Sequence, residues 1–318
     1  MKQLCFVLII LFLMVNFACE NKVIINESNE ENKFQPPDVP QPPVKISDNL
    51  IKAMKAAEPF FIPMGKPTAD EWLATFKEDG QTFEQYVNGN PVLPSPERTT
   101  LYIQPIGKFD KKRLKIIQVS VEYMQKFFDL PVKLMTEKRF EEPLSLKNYR
   151  TNQFTKNRQI LTSFILEEIL QPDLPKDAAA LIAFTNEDLF PDKKTNYVFG
   201  QASLKNRVGV WSLSRLDNYA NFEKFLKRTL KVAVHETGHM FSFAHCTKYE
   251  CVMSGTNHLG ETDRHPIDVC PECMAKICWM SDYEPKKRYE NLAEFCKTHN
   301  LKKDSDEFSR KAAAVSKN

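Results

Sequence analysis

The chain has 318 residues, 42% hydrophobic and 27% charged, a globular composition that excludes a wholly disordered or polytopic membrane protein. Its 44 Lys and Arg against 41 Asp and Glu leave a net charge of +3, which gives no reason to expect a nucleic-acid partner. Only 9 glycines are present, and neither a phosphate-cradling loop nor a dinucleotide-binding fingerprint occurs.

At the start, Met1-Lys2-Gln3 precedes an apolar run over 4–15 and then Asn16-Phe17-Ala18-Cys19. A short charged start, an apolar segment and a small residue before a cut site are the parts of a secretory signal over 1–19. The run falls short of the about 20 apolar residues that a spanning helix needs. Ala18-Cys19 resembles a bacterial lipobox, in which cleavage leaves Cys19 as the lipidated N-terminus, although Asn16 stands where such boxes carry an aliphatic residue. The expectation is an exported lipoprotein tethered to a membrane, periplasmic or at the cell surface. A plain secreted protein and an uncleaved anchor are the alternatives. Residues 20–49, with Pro36-Pro37-Asp38-Val39-Pro40-Gln41-Pro42-Pro43, read as an extended linker.

Residues 50–93 read as an N-terminal extension packed on a main domain over 94–284. Within that domain, 101–106 is a buried-strand run closed by Gly107. Leu114, Ile117, Val121, Met124 and Phe128 recur at helical steps, and 132–135 is a second strand. A helix is expected over 160–170, a third strand over 178–184, and two more over 197–202 and 208–213. A long helix over 221–243 follows, capped near 217–221. The order describes an α/β (α+β) fold, a mixed sheet with the site on its last long helix. The charged tail, 285–318, is expected to form a surface helix that frays.

The decisive string is His235-Glu236-Thr237-Gly238-His239, followed by His245. Histidines four apart share a helix face, so their imidazoles can bind one zinc with Glu236 beside them. A catalytic zinc needs a third ligand and an open position. His245 qualifies only if the chain turns back, because six helical residues would rotate it about 240° away. Metzincin metallopeptidases carry glycine at the eighth motif position for this turn, where φ can be positive. Here that position is Ser242, expected to hold left-handed backbone under a strain of about 1–2 kcal/mol.

Downstream stand Cys246, Cys251, Met253, Cys270 and Cys273. With the zinc helix, this string resembles the archaemetzincin signature. Upstream, Leu101-Tyr102-Ile103-Gln104-Pro105-Ile106-Gly107, Phe184-Thr185-Asn186-Glu187-Asp188-Leu189-Phe190 and Phe199-Gly200-Gln201-Ala202 are similar to family segments, as is Val210-Trp211-Ser212-Leu213-Ser214-Arg215-Leu216. The resemblance covers roughly 94–283, with 72–86 similar to the longer, eukaryotic-type members. It implies a metzincin-like mixed sheet, a zinc-binding active-site helix and a small cysteine-rich C-terminal zinc subdomain. It further implies a zinc metallopeptidase acting on peptide or protein substrates. His235, His239 and His245 would bind a catalytic zinc, Glu236 would activate water, and Met253 would be the Met-turn floor. Cys246, Cys251, Cys270 and Cys273 would hold a second, structural zinc.

Disulfides are the rival for these cysteines, since exported proteins oxidise their thiols. Bridging within Cys270-Pro271-Glu272-Cys273 would be strained. A pairing of Cys278 with Cys296 stays open, and His258, His265 and His299 read as surface histidines. A non-catalytic member that binds a peptide or protein partner is the alternative function, and Ser242 is the one feature favouring it.

Overall fold

The continuous apolar run Ala178-Ala179-Ala180-Leu181-Ile182-Ala183-Phe184 has no polar face to offer water, so it belongs at the centre of a sheet. In the structure, a computed structural model describing residues 46–203, 206–217 and 220–316, it forms β5 (Ala178–Thr185), buried at every position. The expected signal segment, Cys19 and the linker up to residue 45 lie outside the described residues.

β5 pairs in parallel with β1 (Thr100–Ile106) on one side and β8 (Val208–Ser212) on the other. β2 (Val132–Leu134) extends the sheet beyond β1 in parallel, and β7 (Gly200–Ser203) runs antiparallel to β8 at the opposite edge. The mixed sheet thus has the order β2-β1-β5-β8-β7. Alternation along β5 divides the core. Ala180, Ile182 and Phe184 face the larger cluster, while Leu181 and Ala183 face the smaller one with Ile106, Val208 and Val210.

A second sheet of β3 (Tyr149–Thr151), β4 (Arg158–Leu161) and β6 (Asp188–Phe190) corrects the sequence reading. Ile160 and Leu161, expected to begin a helix, pair in parallel with Leu189 and Phe190, and the helical stretch begins only after Leu161. The side-chain amide of buried Gln159 donates to Asp188 (2.9 Å) and to the Asn196 carbonyl (2.9 Å), which ties this segment to β6.

Two long helices are among those that line the larger cluster. α4 (Lys111–Phe128) is capped by Asp110, whose carboxylate accepts from Arg113 N–H at 2.8 Å. α5 (Phe222–Met240) is capped by Asn221 and buried at every residue from 228 to 240. It carries the zinc motif into the interior, but it is not the last long helix.

The extension holds α1 (Asp48–Ala57), α2 (Trp72–Thr75) and α3 (Phe83–Asn88). Past α5 come α6 (Leu259–Arg264), α7 (Pro271–Ser281), α8 (Pro285–Thr298) and α9 (Lys302–Val315). α1 packs on α7 and α9. Among the described residues the tail is packed, not frayed: α8 and α9 pack together and bury Tyr289, Phe295, Cys296 and Phe308. Two of its charges, Arg288 and Lys311, are paired inside. Asp268 accepts from Arg288 at 3.1 Å and from Lys311 at 3.0 Å, and all three side chains are buried. Buried charges survive where they are paired.

Candidate metal centres and active site

The way α5 ends decides where the third histidine goes. Ser242 N–H donates to the His239 carbonyl at 2.8 Å, and Phe243 N–H donates to the Gly238 carbonyl at 3.0 Å. Ser242 itself sits at φ +68°. This is a helix closed by a left-handed residue, with two of its last carbonyls satisfied by the returning chain. The turn falls on the residue expected to bear it. The extension braces that turn: Ser242 Oγ accepts from Val92 N–H (3.0 Å), and Gln81 donates to the Ser242 carbonyl (3.3 Å) while accepting from Ala244 N–H (3.2 Å).

The structure brings His235, His239 and His245 together, with ring centroids 4.5–5.2 Å apart and one ring nitrogen of each within 4.8 Å of the others. His235 Nδ1 lies 2.8 Å from the Val252 carbonyl, and His239 Nδ1 lies 2.6 Å from the Phe243 carbonyl. Carbonyls only accept, so both Nδ1 atoms carry the proton and both Nε2 atoms are left as lone pairs. Those Nε2 atoms stand 2.9 Å apart, a repulsive arrangement that a shared cation relieves. Burial holds His235 well below the usual imidazole range; burial, then the nearby His245, pulls His239 down to about 3. Both are therefore neutral near pH 7, the form that binds metal. Three converging imidazoles, two of them neutral, fit a zinc ion with an open position. The third, His245, has Nδ1 at 2.9 and 3.0 Å from the two carboxylate oxygens of Glu78.

Glu236 is buried, and with His235, Lys231, Phe199 and Leu259 it lines a pocket. His265 lines the same pocket, which corrects the expectation of a surface histidine: it is 4% exposed and 2.9 Å from Glu250. His258 instead caps α6, and His299 pairs with Glu122 at 2.8 Å. Met253 lies against Gly238, so closely that a Cβ at 238 would come within 2.7 Å of its Sδ. That contact explains a glycine inside the zinc motif.

The sulfurs of Cys246, Cys251, Cys270 and Cys273 also converge, all within 4.8 Å of one another and all buried. The Cys246–Cys270 separation of 3.5 Å is a contact between thiols, and the six described cysteines are all free. Cys278 and Cys296 therefore do not pair; Cys278 faces Met274 at 3.5 Å. Backbone N–H groups of Met253 and Cys270 point at Cys251 Sγ from 3.4 and 3.2 Å. Cys270 occupies the N-cap position of α7, and Cys273 lies in its first turn. Burial pushes Cys251 and Cys270 well above the thiol range, so joint ionisation calls for a cation among them. Four sulfurs around one point fit a closed zinc site.

Sequence reasoning missed Glu78. An acid 167 positions from its histidine partner leaves no local signal, and only the folded chain joins them.

A family model described as peptidase family M54 matches residues 114–278. Archaemetzincin-2 of Rattus norvegicus is 30% identical over 289 residues, spanning 77% of this chain and 77% of that protein. The archaemetzincin of Archaeoglobus fulgidus is 31% identical over 177 residues, 56% of this chain and 98% of that one. The crystal structure of the Methanopyrus kandleri archaemetzincin superposes with a TM-score of 0.47 at 26% identity, covering 63% of this chain and 98% of that one. The match over just over half of the chain, together with the length and identity of the match to the rat protein, shows that this chain belongs to peptidase family M54, the archaemetzincins, and is a zinc metallopeptidase.

Proposed function

We propose that this chain cleaves peptide bonds at the His235–His239–His245 centre, holding one zinc there and a second, structural zinc on Cys246, Cys251, Cys270 and Cys273. Bound zinc supplies Lewis acidity, which makes water more acidic and polarises a peptide carbonyl. Glu236 takes the proton from the attacking water and passes it to the nitrogen of the breaking C–N bond. His235 and His239 keep their Nδ1 protons on backbone carbonyls, so their Nε2 lone pairs stay aimed inward. Met253 forms an apolar floor under the helix. The cysteine set has no open position and does no chemistry itself.

One observation carries this reading: three converging imidazoles, two of them neutral, lie beside a buried carboxylate on a pocket wall. A non-catalytic binder rested on Ser242 alone, and Ser242 makes the turn that returns His245 to the other two. Glu236→Gln should lower turnover of a peptide library by about 100-fold or more while both zinc ions stay bound. His239→Ala should lose one zinc, and Cys270→Ser the other together with folding. Undiminished turnover in Glu236→Gln would refute the role of that residue.

We also propose that the chain is exported and membrane-anchored through Cys19, which lies outside the described residues. Cys19→Ser should then abolish lipid labelling and release the protein from the membrane fraction. Unchanged labelling would overturn that proposal.

A further inference from the structure

His235 and His239 give their Nδ1 protons to carbonyls of their own neighbourhood, Val252 and Phe243. His245 lies three residues beyond the left-handed turn, and its Nδ1 meets a side chain from the extension instead. Glu78 receives it on both oxygens, at 2.9 and 3.0 Å. A carboxylate can only accept here, so His245 donates from Nδ1 and presents Nε2 to the other two rings.

We propose that Glu78 is a positioning residue of the catalytic metal site, orienting His245 and making the N-terminal extension part of the centre; this rests on the three histidines being zinc ligands. A carboxylate behind a ligating imidazole fixes its ring and raises its basicity more than a carbonyl does. Neighbouring residues hold Glu78 in register. Asp79 accepts from Thr247 Oγ1 at 3.3 Å, and Lys276 donates to both the backbone and the side chain of Gln81 at 2.8 and 2.9 Å. Trp72 packs edge-on against the His245 ring, 5.1 Å between centroids. The Trp72 ring also lies over Gly255, where a Cβ would come within 2.4 Å of it. Trp72 confines the imidazole, Gln81 ties down the backbone ahead of it, and Glu78 sets its rotation.

The test uses the full chain with Glu78→Gln and Glu78→Ala, titrating bound zinc against a chromogenic zinc chelator. Alanine should weaken the histidine-held zinc by about 10–100-fold, and glutamine, which still accepts but carries no charge, by less. The cysteine-held zinc and the melting temperature of zinc-free Glu78→Gln should not move, and kcat should fall with KM unchanged. Zinc affinity equal to the parent's in both variants would overturn the proposal. So would an affinity loss matched by an equal stability loss in the zinc-free protein, which would mark packing alone. His239→Ala separates the two levels. If it leaves the titration unchanged, the histidine assignment fails; if it removes one step that the Glu78 variants leave intact, only the role of Glu78 fails.

Discussion

Substituting Ser242 by alanine and by glycine should give an order of stability opposite to that at an ordinary helical position. Alanine removes the Oγ that accepts from Val92 N–H at 3.0 Å, a loss of about 1 kcal/mol, and keeps the left-handed strain. Glycine loses the same hydrogen bond but relieves about 1–2 kcal/mol of strain at φ +68°, against about 0.5–1 kcal/mol of extra chain entropy in the unfolded state. The glycine variant should therefore lie close to the parent and about 0.5–1 kcal/mol above the alanine variant. Valine, which resists positive φ most, should lie lowest and bind zinc more weakly. For a chain of this size 1 kcal/mol corresponds to about 2 °C, within reach of thermal melts at saturating zinc. A glycine variant less stable than the alanine variant would mean that the backbone at 242 is not left-handed. It would also remove the account of how His245 returns to the metal.

Gly238→Ala should destabilise by up to about 2 kcal/mol in urea melts, since its Cβ would meet Met253 Sδ at 2.7 Å within a packed core, offset by about 1 kcal/mol of better helix propensity. Asp268→Ala should cost about 3–5 kcal/mol, because it leaves Arg288 and Lys311 buried without their shared carboxylate; a loss under 1 kcal/mol would show that these helices do not depend on it. The zinc-free protein should weaken in mild acid. Folded His235 and His239 refuse protons well below the ordinary value of 6.5, while the unfolded chain takes them up near that value. Their contribution is whole above about pH 6.5 and falls as pH drops below it, for His239 down to about 3, by up to about 1.4 kcal/mol per unit for each histidine. Urea midpoints that stay flat between about pH 7 and pH 5 would contradict this.

What the sequence made legible was whatever its local periodicity or spacing encodes. β5 is an unbroken apolar run, α5 carries its motif histidines one turn apart, and the cysteines cluster around a single loop. The family resemblance, the mixed sheet and the peptidase class rest on such signals, and the matches to family M54 bear them out. Pairing between remote polar groups is not written in any window. Arg288 and Lys311 look like surface charges until Asp268 is brought between them, and His265 looks exposed until Glu250 reaches it. β4 was misread for a related reason. Ile160 and Leu161 have apolar character that suits a helix or a strand, and the choice is made by β6, almost thirty residues later.

The distribution of supports around the histidines has a consequence for dissecting the protein. His245 is gripped from the N-terminal side by Glu78, whereas His235 hangs on Val252, whose N–H donates to the backbone of Asp268 at 3.0 Å. Asp268 is in turn clamped by Arg288 and Lys311 from α8 and α9. A fragment trimmed to 94–284 would retain every histidine and cysteine of the motif yet lose a clamp at each end. Minimal peptidase cores cut from this chain should therefore be judged by how firmly they hold their metal, not by whether the signature is intact.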